Sequence, residues 1–219
     1  ASIDDIGGSA PSGSYDFKDT LDLGGVFSLD LVRHFKTEGF FPSDLFDARQ
    51  FAFPTTGNFD GTEANDVDAQ LFVRTTQDDP SGSPTYTAFQ PFASGTFKAR
   101  GFQFRTVLTS TDPDQDIRVF ELGYTAKIQA RQEIRTNITQ NAGATAYTFD
   151  NAFFTGTAAL LGANSNLPSV NITAQDLASG DYFVITNLSG TGFTIDFKNS
   201  SNASIGKNFS YTAVGFGKG

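Results

Sequence analysis

Between Ser169 and Phe197 apolar and polar side chains alternate over three short runs, cut apart by the turns Ser179-Gly-Asp and Ser189-Gly-Thr-Gly. A period of two puts one set of side chains on each face of an extended strand. The stretch therefore reads as three strands whose apolar faces are Val170/Ile172, Tyr182/Val184 and Phe193/Ile195/Phe197. A further strand follows, with Phe209, Tyr211 and Ala213 on one side and Ser210 and Thr212 on the other.

The same period runs through the first half. Phe102, Phe104, Thr106 and Leu108 share a face against Gln103, Arg105, Val107 and Thr109. Leu71 and Val73 oppose Gln70, Phe72 and Arg74. Phe120, Leu122, Tyr124, Ala126 and Ile128 are expected to face one way. No segment sustains a 3.6-residue period; Ser43-Asp-Leu-Phe is read as one capped helical turn at most. Turn clusters recur at Pro54-Thr-Thr-Gly-Asn, Asp78-Asp-Pro-Ser-Gly and Asp112-Pro-Asp. Many short strands with such punctuation predict an all-β protein made of sandwiches or barrels.

The 219 residues suffice for one large or two small domains. Phenylalanine (24) and glycine (22) are abundant, while Cys, Met and Trp are absent. Phe must therefore fill the cores, and disulfides, thiolate metal sites and cysteine nucleophiles are excluded. The net charge of -9 is lopsided: residues 1–132 carry 19 acids and 11 bases, residues 133–219 only 5 and 4. With no basic stripe, nucleic acid and anionic membranes are not expected partners. No run of about 18 apolar residues marks a transmembrane helix. The chain opens at Ala1 without methionine, which reads as a processed product or a fragment.

These features divide the chain into a linker (1–14), a jelly-roll-like sandwich (15–132), a polar connecting segment or bridging strand (133–143) and a smaller antiparallel sandwich (144–219). A bend is expected at Gly24-Gly25 within the first strand of the larger domain. About 75 residues bury only a modest core, so the smaller domain should gain from oligomerising, and its edges need partners or cover.

Phe153-Phe154, Pro168-Ser-Val-Asn-Ile-Thr, Gln175-Asp-Leu-Ala-Ser-Gly-Asp-Tyr-Phe, Thr191-Gly-Phe-Thr-Ile-Asp-Phe and Phe209-Ser-Tyr-Thr-Ala-Val-Gly-Phe-Gly together resemble the C-terminal module of tail-tip host-specificity proteins of long-tailed phages. That module is similar in strand pattern to H-type lectins, which are trimeric sugar-binding sandwiches. Leu21-Asp-Leu-Gly-Gly, Ala69-Gln-Leu-Phe-Val-Arg-Thr-Thr, Ala99-Arg-Gly-Phe-Gln-Phe-Arg and Ile117-Arg-Val-Phe-Glu-Leu are similar in order to a discoidin-like jelly roll. The resemblance implies a virion protein of the phage tail, extracellular, non-enzymatic and homotrimeric. Its implied partners are other tail proteins and a host surface glycan or outer-membrane protein. A carbohydrate-binding module of a secreted or surface protein is the first alternative, a surface-polysaccharide depolymerase the second.

Sugar sites combine aromatic platforms with polar side chains that form paired hydrogen bonds. Arg74, Tyr86, Phe89 and Arg100 are the candidates; their plain reading is end-plugging aromatics and arginines paired with aspartates. Asp60, Glu63, Asp66 and Asp68 are candidate ligands for a structural calcium, an ion that takes several oxygens from a bent loop. Asp112, Asp114 and Asp116 form a second acidic cluster; a solvated turn explains either. His34, the one histidine, cannot build a multi-histidine zinc site and reads as structural. Of the glutamates Glu38, Glu63, Glu121 and Glu133, none is marked as half of a catalytic pair. The Asn-x-Ser/Thr triplets, such as those at Asn137, Asn187 and Asn202, read as chance products of polar loops.

Overall fold

The computed structural model describes residues 11–41, 64–157 and 166–217. Among them there is no helix, and every strand pairing is antiparallel. The protein is all-β, built from antiparallel sheets packed as sandwiches. The expected helical turn at Ser43 lies outside the described residues.

The first unit contains β1 (Ser12–Asp16), β2 (Leu21–Phe40), β3 (Val67–Thr76), β4 (Gln90–Pro91), β5 (Gly95–Ser110) and β6 (Asp116–Ile128). They form one sheet in the order β4-β3-β5-β2-β6, with β1 also on β5. The 20-residue β2 makes two layers from this one sheet. Leu21–Leu31 pairs with β5, and Leu29–Phe40 pairs with β6. Its register on β5 shifts between Asp22 and Phe27. Gly24 there has φ +72°, and Asp22 Oδ1 accepts its N–H at 2.8 Å, so the bend falls where Gly24-Gly25 predicts it. The β2–β6 ribbon folds back over β5, and Tyr124 stacks on Phe104 with ring centroids 4.1 Å apart. Leu29, Leu31, Leu71, Val73, Phe102 and Phe104 form the centre of this core.

The second unit contains β7 (Ala130–Gln140), β8 (Thr145–Thr148), β9 (Ser169–Ala174), β10 (Tyr182–Thr186), β11 (Gly192–Lys198) and β12 (Lys207–Phe216). Sheet β10-β11-β8 faces sheet β7-β12-β9. Between them lie Phe149, Phe153, Phe193, Ile195, Phe197 and Phe209, with Tyr211 and Ala213. The three strands expected between Ser169 and Phe197 are β9, β10 and β11.

Four expectations differ from what forms. Residues 133–143, expected as a connecting segment or a strand bridging the two domains, belong to the second unit: they are most of β7 and the turn after it, hydrogen-bonded to β12 along the strand. β1 begins inside the expected linker 1–14. Phe120 does not join the core face of β6: a bulge opposite Lys36/Thr37 breaks the alternation and leaves it 53% exposed. In β10 the core side carries Phe183 and Ile185, opposite Phe197 and Ile195 of β11, while Tyr182 and Val184 face outward. Tyr-Phe-Val-Ile is apolar at every position, so alternation alone does not choose its face; register does.

The two units share a seam. Phe154 lies in the core of the first, edge-on to Phe27 at 5.5 Å, while its N–H binds the carbonyl of Phe216 on β12. Gly217, at φ +98°, donates to the carbonyl of Gln129. A Cβ there would meet the Phe27 ring and the Phe154 nitrogen at 2.9 Å, so the chain leaves β12 only as glycine. An open apolar hollow of about 330 Å³, lined by Leu21, Leu23, Phe154 and Phe216 among others, sits at this seam.

Phe104→Ala is expected to cost about 3–5 kcal/mol, whereas Phe120→Ala costs under about 1 kcal/mol because it removes an exposed ring. Urea unfolding of the two variants measures this; equal losses would mean that Phe120 belongs to the core.

Candidate functional site

With Leu71 and Val73 of β3 turned inward, Arg74 points to the outer face; with Phe102 and Phe104 of β5 inward, Gln103 and Arg105 do the same. Arg74 lies opposite Gln103 in register, and its Nε and Nη2 donate to Gln103 Oε1 at 2.9 and 2.7 Å. The stretch from β3 to β4 returns over this face. Thr87 N–H binds the Thr75 carbonyl at 2.9 Å, and the Thr76 hydroxyl binds the Thr85 carbonyl at 2.8 Å. That return lays Tyr86 and Phe89 against the arginines. The Arg74 guanidinium is 4.6 Å from the Tyr86 centroid and 4.7 Å from Phe89; Arg105 is 4.4 Å from Phe89. Arg105 in turn holds Asp16 of β1 through Nε and Nη2, at 2.6 and 2.9 Å.

Three of the four candidate ligand residues, Arg74, Tyr86 and Phe89, thus come together, with Arg105 as a fourth member. Guanidinium groups stack on both rings, an attraction of the ring quadrupole for a cation. This makes the cluster a clamp that holds the 77–89 stretch on the sheet. The Tyr86 hydroxyl is buried without a hydrogen-bond partner among the described residues.

Arg100 stands apart from the rings. It bridges Asp22, beside the β2 bend, at 3.2 Å and Asp79, in the returning stretch, at 2.7 Å. Asp79 also accepts from the Ser81 hydroxyl and N–H. The Ser81 hydroxyl, more than Arg100, holds the Asp79 carboxyl below its ordinary value of 3.8, and the Arg105 hydrogen bond does the same for Asp16. Their stabilisation is fully present above that value and is lost as pH falls through the lowered folded-state values.

Asp60 and Glu63 of the expected calcium site lie outside the described residues. Asp68 accepts from Gln70 at 2.7 Å. Asp66 and Asp112, from the two separate acidic clusters, converge on the buried Gln115, whose Nε2 donates to them at 3.0 and 3.1 Å. A neutral amide therefore sits between these carboxylates, and no group of three or more metal-ligating side chains is gathered among the described residues. His34 lies between Thr125 (2.7 Å) and Glu121 (3.2 Å) on the β2–β6 ribbon. Asn137, Asn187 and Asn202 have φ of 55°, 53° and 63°, a turn conformation that asparagine tolerates.

One polar cluster joins residues far apart in the sequence. Glu133 of β7 is buried at 8% exposure and accepts from the Tyr211 hydroxyl at 2.9 Å and the Asp150 N–H at 3.0 Å. Arg131 and Arg135 flank it at 3.6 and 3.9 Å. Burial, then the Glu133 hydrogen bond, pushes the Tyr211 hydroxyl up to about 12. Its protonated form thus stabilises the fold fully below pH 10, and this is lost as pH rises from there through about 12. The only sequence signal is the i, i+2, i+4 spacing of Arg131, Glu133 and Arg135, which places all three on one face of a strand.

No protein-family model, no curated protein and no solved structure matches the chain.

Arg74→Ala is expected to cost about 1–2 kcal/mol, since it removes two ring contacts and two hydrogen bonds. Arg100→Ala, which breaks partly exposed ion pairs, costs under about 1 kcal/mol. Urea unfolding ranks them, and the reverse order would contradict the clamp. On acidification the melting temperature should hold to about pH 5 and then fall. An Asp16→Asn/Asp79→Asn variant should start lower and fall less steeply.

Proposed function

We propose that this chain is a non-catalytic, receptor-facing part of a phage tail tip or tail fibre, displayed on the virion. It binds a host surface glycan or an outer-membrane protein during attachment. The phage-tail part of this reading rests on the sequence resemblance between Phe153 and Gly217; what supports its non-catalytic part is how the polar side chains are used. Arg105 with Asp16, Arg100 with Asp22 and Asp79, and Glu133 with Tyr211 tie strands and turns to one another. Such groups hold a rigid body rather than turn over a substrate. Two sandwiches joined through a common seam suit a binding body, and three-fold display would multiply weak contacts by about 10²–10⁴ without new ones.

The test is binding of the fluorescently labelled, purified chain to bacterial host cells, with competition against adsorption of the intact phage. Saturable binding that blocks adsorption is the expected result. Glycan binding with no effect on adsorption would favour the carbohydrate-binding module. Release of oligosaccharide from host polysaccharide would establish a depolymerase. Neither binding nor competition would overturn the proposal.

A further inference from the structure

Exposed sheet edges attract other chains, and proteins blunt them with charge, proline, shortness or cover. Most edges among the described strands are blunted in this way. β6 carries Arg118, Glu121 and Lys127. β7 carries Arg131, Glu133 and Arg135. β4 is two residues long and contains Pro91, and β8 is four residues long. β9 places the polar Ser169, Asn171 and Thr173 at its exposed positions.

β10 has no such protection. It pairs with β11 alone, so its other backbone edge has no strand partner among the described residues. Its five residues, Tyr182-Phe-Val-Ile-Thr, are uncharged and high in β-propensity. Tyr182, Phe183 and Val184 are 41%, 38% and 39% exposed. Phe183 points to the core side and meets Phe197 edge-on at 5.9 Å, yet stays exposed because it lies at the rim of the sheet. The two carboxylates beside the strand are each paired with a lysine, Asp181 with Lys207 at 2.9 Å and Asp196, opposite Val184 on β11, with Lys198 at 3.3 Å, and the residue after the strand is Asn187. A second copy therefore meets this edge with no like-charge contact, although the chain as a whole carries a net charge of -9.

We propose that β10 pairs antiparallel with β10 of a second copy, about a two-fold axis at Val184. The three-stranded sheet then becomes a continuous sheet of six strands. In that register Phe183 faces Ile185 of the second copy, an aromatic to β-branched pair of the kind that stabilises antiparallel ladders. The pair closes the rim of both cores, Tyr182 faces Thr186, and Val184 faces itself on the outer side. The contact is isologous and closed. It is independent of any three-fold axis and adds to one if both exist.

The absence of native cysteine gives a direct test. Opposed residues of an antiparallel pair have Cα atoms about 4.5 or 5.5 Å apart, within the range of about 4.4–6.8 Å that a disulfide spans. Val184→Cys should therefore cross-link into a covalent dimer under mild oxidation. Val214→Cys is the control: it is 41% exposed but lies on the central strand β12, and it should stay uncross-linked. Failure of both to cross-link, or equal cross-linking of both, would overturn the pairing. Light scattering with Val184→Lys gives a second reading. The variant should stay folded, with the wild-type circular-dichroism spectrum, and halve the mass, from two chains to one or from six to three; an unchanged mass would overturn the pairing. Three or six chains would bear on three-fold display separately: a final mass of one chain counts against the trimer without touching the β10 contact.

Discussion

The first sandwich depends on a single strand bonding on both sides of a bend. β2 spends its first half on β5 and its second half on β6, so two layers arise from one sheet with a shared hydrogen-bond ladder. The bend requires left-handed backbone at Gly24, where a Cβ would meet Thr157 at 2.9 Å. A side chain there would both strain the backbone and push away the segment leading out of Phe154. Bend and domain seam are therefore one piece of geometry.

Phenylalanine supplies most of what packs around that geometry. In a chain without Trp or Met, core volume comes from rings meeting at tilted and edge-on angles, as Phe92 does with Phe97 and Phe104, an arrangement the ring quadrupole favours. On the outer face the same rings are met by guanidinium groups. The Arg74–Phe89–Arg105 cluster ties a long return loop to the sheet without disulfides. The seam, in turn, places Phe154 in one core and, through Phe153 beside it, joins it to the other.

Strand identity was legible wherever polar and apolar residues strictly alternate. β11, β12 and the central part of β5 follow their patterns, because each buries one face and a slip would expose every large side chain. Legibility failed for physical reasons elsewhere. Phe120 follows the pattern in sequence, but a bulge interrupts it in space, and nothing local announces the bulge. The polarity of residues 133–143 points to a connecting segment or a bridging strand, yet β7 is an edge strand of the second unit whose Arg and Glu side chains bond one another. Candidate residues Arg74, Tyr86 and Phe89 meet only because a loop folds back over β3. Arg100 does not join them, since its partners are the aspartates on either side. The Gln115 bridge between two acidic clusters and the Glu133–Tyr211 bond span 49 and 78 residues. Separations of that kind leave no trace in local periodicity.

The seam at Phe27, Phe154 and Gly217 packs the two sandwiches against each other, so they should unfold as one cooperative body. Scanning calorimetry of the intact chain tests it most directly. A single transition, with calorimetric and van't Hoff enthalpies equal per cooperative unit, is the predicted result. Two resolved transitions, each with the enthalpy of one sandwich, would contradict it.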